Sequence, residues 1–218
     1  MVIGLLILTA IPTVTGVAQA ISGQKTREER QKDENRMKKF HIDIHCEADN
    51  ARTTGIHDKR LVLKDDRVWL GPHEAQNPCP EGYVAQCFYI EYPDNEVRDP
   101  RLVWPLPVPI GLVSQVRDDP PLLNWLYVDK DTMELKYGNK SASIEHHIGP
   151  WDWAEDEKII TFDKSKGFTA VQDPKTRRWQ IYHDMDNDGL SRFVPKGRRM
   201  VQVSLQRTLL SGASVPGA

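Results

Sequence analysis

Apolar and polar residues alternate along most of the chain from Phe40 onward. In residues 40–46 every second side chain is apolar, and the clearest stretch, residues 201–206, alternates valine or leucine with glutamine or serine. This period of two is typical of half-buried strands. Turn signals recur about every 8–12 residues, which predicts about 10–12 short antiparallel strands between Phe40 and Leu210.

The strands form either a closed barrel or a sandwich in this interpretation, so the predicted fold class is mainly β, preceded by an N-terminal helix. No helical segment alternates with the strands, which disfavours a parallel α/β sheet. No internal repeat is visible in the sequence. We predict one β domain over residues 39–210, behind a leader of residues 1–38 and ahead of a disordered tail of residues 211–218.

The leader is apolar in residues 2–20 and highly charged in residues 25–39. The charged part predicts a solvated helix, because opposite charges stand four residues apart. The apolar part has three interpretations that stay open: a secretory signal, a membrane-spanning helix, or an attached helix that packs on the domain or on a partner. A small-x-small cleavage site at residues 18–20 favours the signal, whereas the lack of a basic residue before the apolar run disfavours it. The protein is therefore either cytoplasmic or secreted, and membrane contact through residues 2–20 stays open.

The charge balance narrows the classes of partner. The chain has 29 basic and 31 acidic residues and a formal net charge of −2. Nucleic-acid-binding domains usually carry a basic excess, so we expect no nucleic-acid partner. The chain has three cysteines: Cys46, Cys79 and Cys87. A disulfide framework needs a larger and even number, so this count favours reduced thiols.

An acidic turn is the sharpest local motif. Asp184, Asp186 and Asp188 precede Gly189 in the spacing D-x-D-x-D-G, which is the first half of an EF-hand-type calcium loop. Pro195 stands where such a loop needs a bidentate glutamate, and the flanking residues have strand patterns. Calcium is thus the single candidate cofactor, and an ordinary strand connection rich in Asp, Asn and Gly is the alternative.

Tryptophans dominate the candidate ligand site. Two indole rings on either side of a carboxylate can line a sugar or aromatic pocket, since a ring face stacks on the ligand while the carboxylate accepts hydrogen bonds from hydroxyl groups. The alternative is a tryptophan-rich corner that closes the core. The residues predicted to bind a ligand are Trp125, Trp151, Asp152 and Trp153.

A histidine pair close to this segment is the candidate for catalysis. His146 or His147 would act as a general base, with Glu145 or Asp152 orienting it. The chain has no nucleophile elbow, phosphate-binding loop, dinucleotide fingerprint, H-E-x-x-H or C-x-x-C motif. A triad assembled from distant positions leaves no such motif, so the sequence leaves enzymatic activity open.

Several blocks of the sequence resemble a family of small proteins from filamentous ascomycete fungi. The most specific block is DDPPLLNWLYVD at residues 118–129, followed by ELKYG at residues 134–138 and GPWDW at residues 149–153. The resemblance covers most of the chain, but the sequence departs from the pattern in the proline-rich residues 99–109 and in the cysteine-bearing loop at residues 77–80. The family is uncharacterised, so the resemblance implies no activity, cofactor or catalytic residue. Where the genes of such proteins lie beside secondary-metabolite genes, the resemblance implies an accessory role in that metabolism.

Three functional hypotheses follow. The first is a non-enzymatic β-sandwich or barrel module that binds a small ligand or a protein partner. The second is an accessory protein or enzyme of a fungal secondary-metabolite biosynthetic cluster. The third is a structural domain stabilised by calcium. A cavity surrounded by the tryptophans and a histidine favours the first two, and a melting temperature that responds to calcium favours the third.

Overall fold

The computed structural model describes residue 29 and residues 31–47, 53, 55–93, 109–154 and 157–210. The predicted signal or membrane segment, residues 99–108 of the proline-rich segment and the predicted disordered tail lie outside these ranges. Our expectations for those segments therefore stay predictions. None of the helices in the described part of the chain has the length and hydrophobicity that a bilayer-spanning segment requires.

Strands are the main regular secondary structure of the described chain, as the alternation of apolar and polar residues predicts. A helix, α1 (residues 31–37), lies within the charged part of the leader, and a second helix, α2, spans Lys140–Ser143. The strands are β1 (Phe40–His45), β2 (Arg60–Lys64), β3 (Arg67–Gly71), β4 (Tyr83–Val84), β5 (Gln86–Glu91), β6 (Ile110–Arg117), β7 (Leu122–Val128), β8 (Leu135–Gly138), β9 (Trp151–Trp153), β10 (Ile160–Phe162), β11 (Phe168–Gln172), β12 (Trp179–His183) and β13 (Met200–Leu209).

Nine of these strands close into a ring of antiparallel ladders, in the order β1, β13, β11, β12, β3, β8, β7, β6 and β5. Strand β1 meets β5 at Phe40 and Cys87, and β12 meets β3 at Gln180 and Trp69. These two pairs complete the ring. The structure thus confirms the predicted mainly β fold and selects the barrel over the sandwich, because a ring of paired strands has no open sheet edge.

The strands repeat one plan three times along the chain. Each unit has a first strand, a two-stranded hairpin and a last strand, and the units span β1–β5, β6–β9 and β10–β13. The first unit also contains β4, an extra short strand that pairs with β2. The first and last strands form a ring of their own, because β1 pairs with β5 and β13, β5 with β6, and β9 with β10, while β6 contacts β9 and β10 contacts β13. The hairpins β2–β3, β7–β8 and β11–β12 meet one another in a three-sided arrangement. The pairs that join them are Trp69 with Gln180, Arg67 with Lys136, and Glu134 with Tyr182.

Two hairpin turns carry a trace of this repeat in the sequence. Asp129 and Asp173 each accept hydrogen bonds from the backbone N–H groups two and three residues later, and each turn has a threonine at its fourth position. The first unit turns instead through Asp65 and Asp66, which both have positive φ. Our expectation of no internal repeat is therefore wrong. The repeat lies in the strand order and the turn chemistry, while the side chains along the strands differ between units.

Apolar side chains from all three units meet in one core. Phe40, Leu112, Trp151, Ile160 and Leu205 are almost completely buried there. They come from β1, β6, β9, β10 and β13, so five of the six first and last strands of the units contribute to the interior. Removal of this apolar surface from water is the main source of stability for the fold. The cysteines are free thiols, as the sequence predicts.

Helix α1 is attached to the barrel by arginine side chains. Nη2 of Arg36 lies 3.3 Å from both carboxylate oxygens of Asp152 on β9, and the guanidinium lies 5.5 Å from the centre of a Trp153 ring. Arg207 of β13 donates a hydrogen bond of 2.6 Å to the backbone carbonyl of Asn35. Charge-assisted hydrogen bonds and a cation–π contact thus hold the end of the leader against β9 and β13.

Asp43 of β1 links three strands near the point where β1 and β13 pair. Its carboxylate accepts hydrogen bonds from Nε and Nη2 of Arg60 on β2 (2.7 and 3.0 Å) and from the Thr208 hydroxyl on β13 (2.8 Å). The Asp43 and Arg60 side chains are each only 11% exposed. Burial on its own raises the pKa of Asp43, but the hydrogen bonds from Arg60 and Thr208 outweigh it and hold the pKa below its usual value.

We expect Asp43→Ala to lower the free energy of unfolding by about 3 kcal/mol, because it leaves the buried Arg60 guanidinium without its partner. Urea unfolding followed by tryptophan fluorescence measures the loss. Asp131→Ala is the matched control, since Asp131 is exposed and surface substitutions usually change stability by less than about 0.5 kcal/mol. Equal losses in the two variants would contradict the role given to Asp43.

Candidate functional site

Trp151, one of the predicted ligand residues, lies inside the core. Its ring is fully buried and contacts Phe162 at 4.8 Å and Phe168 at 6.1 Å between ring centres. His183 packs against the same two phenylalanines at 5.0 and 4.9 Å and is also fully buried. Within the described chain, neither ring nitrogen of His183 nor the indole nitrogen of Trp151 has a hydrogen-bond partner. Burial lowers the pKa of His183 to about 4.

Trp153 and Asp152, two further predicted ligand residues, contact the leader helix. The guanidinium groups of Arg36 and Arg207 lie 5.5 and 4.7 Å from the centre of the Trp153 ring. The Asp152 carboxylate accepts from Arg36. In this structure both side chains therefore help to hold α1 on the barrel.

Trp125 lies in a separate cluster from the other two tryptophans. Its ring packs on Tyr92 at 4.6 Å between ring centres. It also lies so close to Gly111 that a β-carbon on this glycine would stand 2.5 Å from the indole, and glycine is the residue that permits such an approach. The structure thus brings Trp151 and Trp153 into the main core region but leaves Trp125 outside it. Three cavities of the described chain have volumes of about 520, 450 and 290 Å³, and none of the four predicted ligand residues lines them.

The histidine pair predicted for catalysis lies beside β7. The His146 ring stacks on Tyr127 with centres 4.9 Å apart, and its Nδ1 accepts a hydrogen bond of 3.3 Å from the backbone N–H of Lys130. Glu145 forms an exposed ion pair with Lys130 at 3.7 Å, and His147 pairs with β7 through its backbone. His146 therefore packs against one face of the Tyr127 ring.

The predicted calcium turn is built from hydrogen bonds of its own. Asp184 accepts from the backbone N–H groups of Asp188 and the next residue at 3.1 and 2.9 Å. Asp188 accepts from the N–H and the hydroxyl of Ser191, and Asp186 lies 3.9 Å from an arginine. The described residues contain no group of three or more His, Cys, Asp or Glu side chains arranged to hold a metal ion. Calcium binding here stays a prediction, which melting temperatures with calcium and with chelator test.

A groove of about 520 Å³ lies beside β13 and is the candidate site on geometric grounds. It opens where β13 changes its pairing partner. Ser204 pairs with His45 at the end of β1, whereas Val203 pairs with Phe168 at the start of β11. A cavity of about 290 Å³ continues the groove toward the Asp184 turn. The two spaces share Gly167, Asn187, Met200, Val201 and Gln202.

Polar side chains from separate parts of the chain line the groove. Gln202 is exposed on β13, and the amide groups of Gln202 and Asn187 make no hydrogen bond with any described residue. The Ser165 hydroxyl accepts a hydrogen bond of 3.1 Å from the Gly167 N–H, which shapes one wall. The remaining polar lining consists of His45, Glu47, Thr53, Lys166 and Ser204. The groove therefore offers hydrogen-bond donors and acceptors at the point where β13 passes from pairing with β11 to pairing with β1.

Sequence reasoning missed this groove for a physical reason. Gln202 and Ser204 are ordinary outward residues of a half-buried strand, and their alternation with valine carries no functional signal. Ser165 and Lys166 lie in a polar connection between strands, and His45 is a polar residue of β1 that alternates with apolar ones. The site exists because closure of the ring brings the first and last strands together.

Comparison with known proteins places the chain in one group. A family model described as the fungal β-trefoil domain matches residues 16–211. The match covers the three units of the barrel and part of the leader. No curated protein and no solved structure matches the chain. The match agrees with the resemblance to a fungal family that the sequence blocks indicate.

The buried His183 predicts loss of stability in mild acid. Its pKa falls from 6.5 in the unfolded chain to about 4 in the fold, so between these values protons bind the unfolded chain preferentially. This histidine therefore contributes a loss of about 2 kcal/mol in unfolding free energy between pH 7 and pH 5. In His183→Phe that part of the loss should be absent, as urea unfolding at both pH values measures. A variant that loses as much stability as the wild type contradicts the assignment.

Proposed function

The chain belongs to the fungal β-trefoil domain family, and from that premise we propose that it is a non-enzymatic module that binds a small, hydroxyl-rich ligand in the groove beside β13. The observation that carries this proposal is the pair of unpartnered amide groups, Asn187 and Gln202, in a groove of about 520 Å³. Ligand sites in proteins commonly have volumes of about 300–1,000 Å³ and a few convergent polar groups.

The position of the groove on the barrel supports binding. Strand β13 pairs with β11 through residues 200–203 and with β1 through residues 204–209. Gln202 and Ser204 therefore project from a backbone that hydrogen bonds hold in place. Binding groups that are already ordered lose little conformational entropy when a ligand arrives, which favours affinity.

The chemistry of the lining supports a hydroxyl-rich ligand. Amides and hydroxyl groups each donate and accept hydrogen bonds, as the hydroxyl groups of a saccharide or polyol do. The lining includes one carboxylate, Glu47, and one ammonium group, Lys166. Since these charges balance, the groove has no strong electrostatic preference for an anion or a cation.

The contacts of the predicted catalytic residues support binding over catalysis. His146 stacks on Tyr127, and its Nδ1 accepts from a backbone N–H group. Neither His146 nor His147 lines the groove. A protein partner and an accessory role in fungal secondary metabolism stay alternatives that rest on the resemblance described above.

A titration of ¹⁵N-labelled protein with a panel of mono- and disaccharides tests the proposal. We expect amide shifts in residues 200–204 to saturate, and we expect Gln202→Ala to weaken the binding about tenfold through the loss of a hydrogen bond. Gln206→Ala is the matched control, because Gln206 lies on the same strand and the same face but outside the groove.

Two outcomes would count against this function. One is a panel in which no sugar shifts the groove amides at millimolar concentration. The other is an equal loss of affinity in the Gln202 and Gln206 variants, which would show that the bound sugar does not contact the groove.

A further inference from the structure

A second cleft lies against the middle hairpin, far from the groove in sequence. Its volume is about 450 Å³, and it is bounded by β7, β8, the start of α2 and Asp66 of the turn between β2 and β3. Tyr127 and Tyr137 form its aromatic walls. Gly138, at the end of β8, and Ala142, on α2, also line it. The Leu122 side chain, which is 43% exposed, lies at the cleft. No residue of this cleft belongs to the groove beside β13.

The Tyr127 wall is held in place before any ligand arrives. Tyr127 is only 5% exposed. His146, which does not line the cleft, stacks on the ring with an interplanar angle of 12°. A β-carbon on Gly138 would stand 3.0 Å from the Ala142 β-carbon and 3.5 Å from Tyr127 Cε1. The glycine therefore keeps the helix and the ring close together without filling the space between them.

Hydrogen-bonding groups of the cleft are free to meet a ligand. The Tyr127 hydroxyl and the Asn124 amide have no hydrogen-bond partner in the described part of the chain. The Asn139 Oδ1 accepts from the Ala142 N–H at 2.9 Å, which fixes this amide and leaves its NH₂ group as a donor. Donors thus accompany the aromatic and apolar surfaces, a combination that fixes the orientation of a bound molecule.

We propose that this cleft is a second ligand site, which takes a flat aromatic molecule carrying oxygen acceptors. Aromatic side chains pack favourably against the faces and edges of other rings, which saturated molecules of the same size do not reproduce. Such a ligand would also remove apolar surface of the exposed Leu122 side chain from water. The Tyr127 hydroxyl and the Asn124 and Asn139 amides donate to the oxygen atoms of the ligand.

1-Naphthol is the probe for the first test, and decahydro-1-naphthol is its saturated control. A titration of ¹⁵N-labelled protein is expected to shift the amides of Gly138 and Asn139 with 1-naphthol. The saturated alcohol should bind about fivefold more weakly, because it lacks the ring interaction. Equal affinity for the two alcohols, or shifts confined to other parts of the protein, overturns the proposal.

Substitutions at the cleft provide the second test. Tyr127→Phe keeps the ring on His146 and removes one hydroxyl, so we expect about a tenfold loss of 1-naphthol affinity. Leu122→Ser should weaken binding by a similar factor. Leu123→Ser is its control, because Leu123 is 49% exposed on the same strand and does not line the cleft. Unchanged affinity in Tyr127→Phe, or equal effects of the two leucine variants, rejects the site.

The two proposed sites can be separated in one set of measurements. Gln202→Ala should leave 1-naphthol binding unchanged, and Tyr127→Phe should leave sugar binding unchanged. Loss of 1-naphthol binding in Gln202→Ala overturns the second site. Binding of a proline-rich peptide at Gly138 and Asn139 without any binding of 1-naphthol also overturns it, since it identifies the cleft as a peptide surface. Failure of the sugar titration leaves the cleft experiments unaffected.

Discussion

The pairing of β1 with β13 is the contact on which the rest of the structure depends. It joins the two ends of the described domain, from Phe40 opposite Leu209 to His45 opposite Ser204. Asp43 reinforces this seam, because its carboxylate holds a side chain of β2 and another of β13 at once. Without the seam both strands would have an unpaired edge, which is the part of a sheet most exposed to wrong pairing.

Both candidate sites depend on this closed framework, although in different ways. The groove beside β13 exists only where the first and third units meet, since His45 and Ser204 come from opposite ends of the domain. The cleft at Tyr127 is formed mainly by β7, β8 and α2 of the second unit, and Asp66 of the first unit also lines it. The domain thus combines a rigid interior with binding surfaces at its turns and strand ends, which is where functional residues of compact domains commonly lie.

The sequence was most informative where burial alone decides the structure. Alternation predicted the strands β1 and β13 and a mainly β fold, because one face of each strand must leave water. It could not decide which tryptophan of Trp151 and Trp153 reaches the interior, since that depends on how β9 packs against the core.

Aspartate spacing predicted carboxylates converging on a cation, whereas Asp184 and Asp188 accept hydrogen bonds from nearby N–H and hydroxyl groups. The groove was beyond sequence reasoning, because no local pattern records that Lys166 and His45 become neighbours.

The position of β13 at the end of the fold has a consequence for biosynthesis. A ribosome releases the chain from its N-terminus onward, so β1 and β11 emerge before the strand that pairs with both of them. Until residue 209 has left the exit tunnel, β1 and β11 each have an unpaired edge. The groove also lacks the residues of β13 that line it. Folding must therefore finish after most of the chain has been made, and the long sequence separation between β1 and β13 makes that last step slow. The two unpaired edges leave the unfinished chain open to wrong pairing until β13 forms the seam.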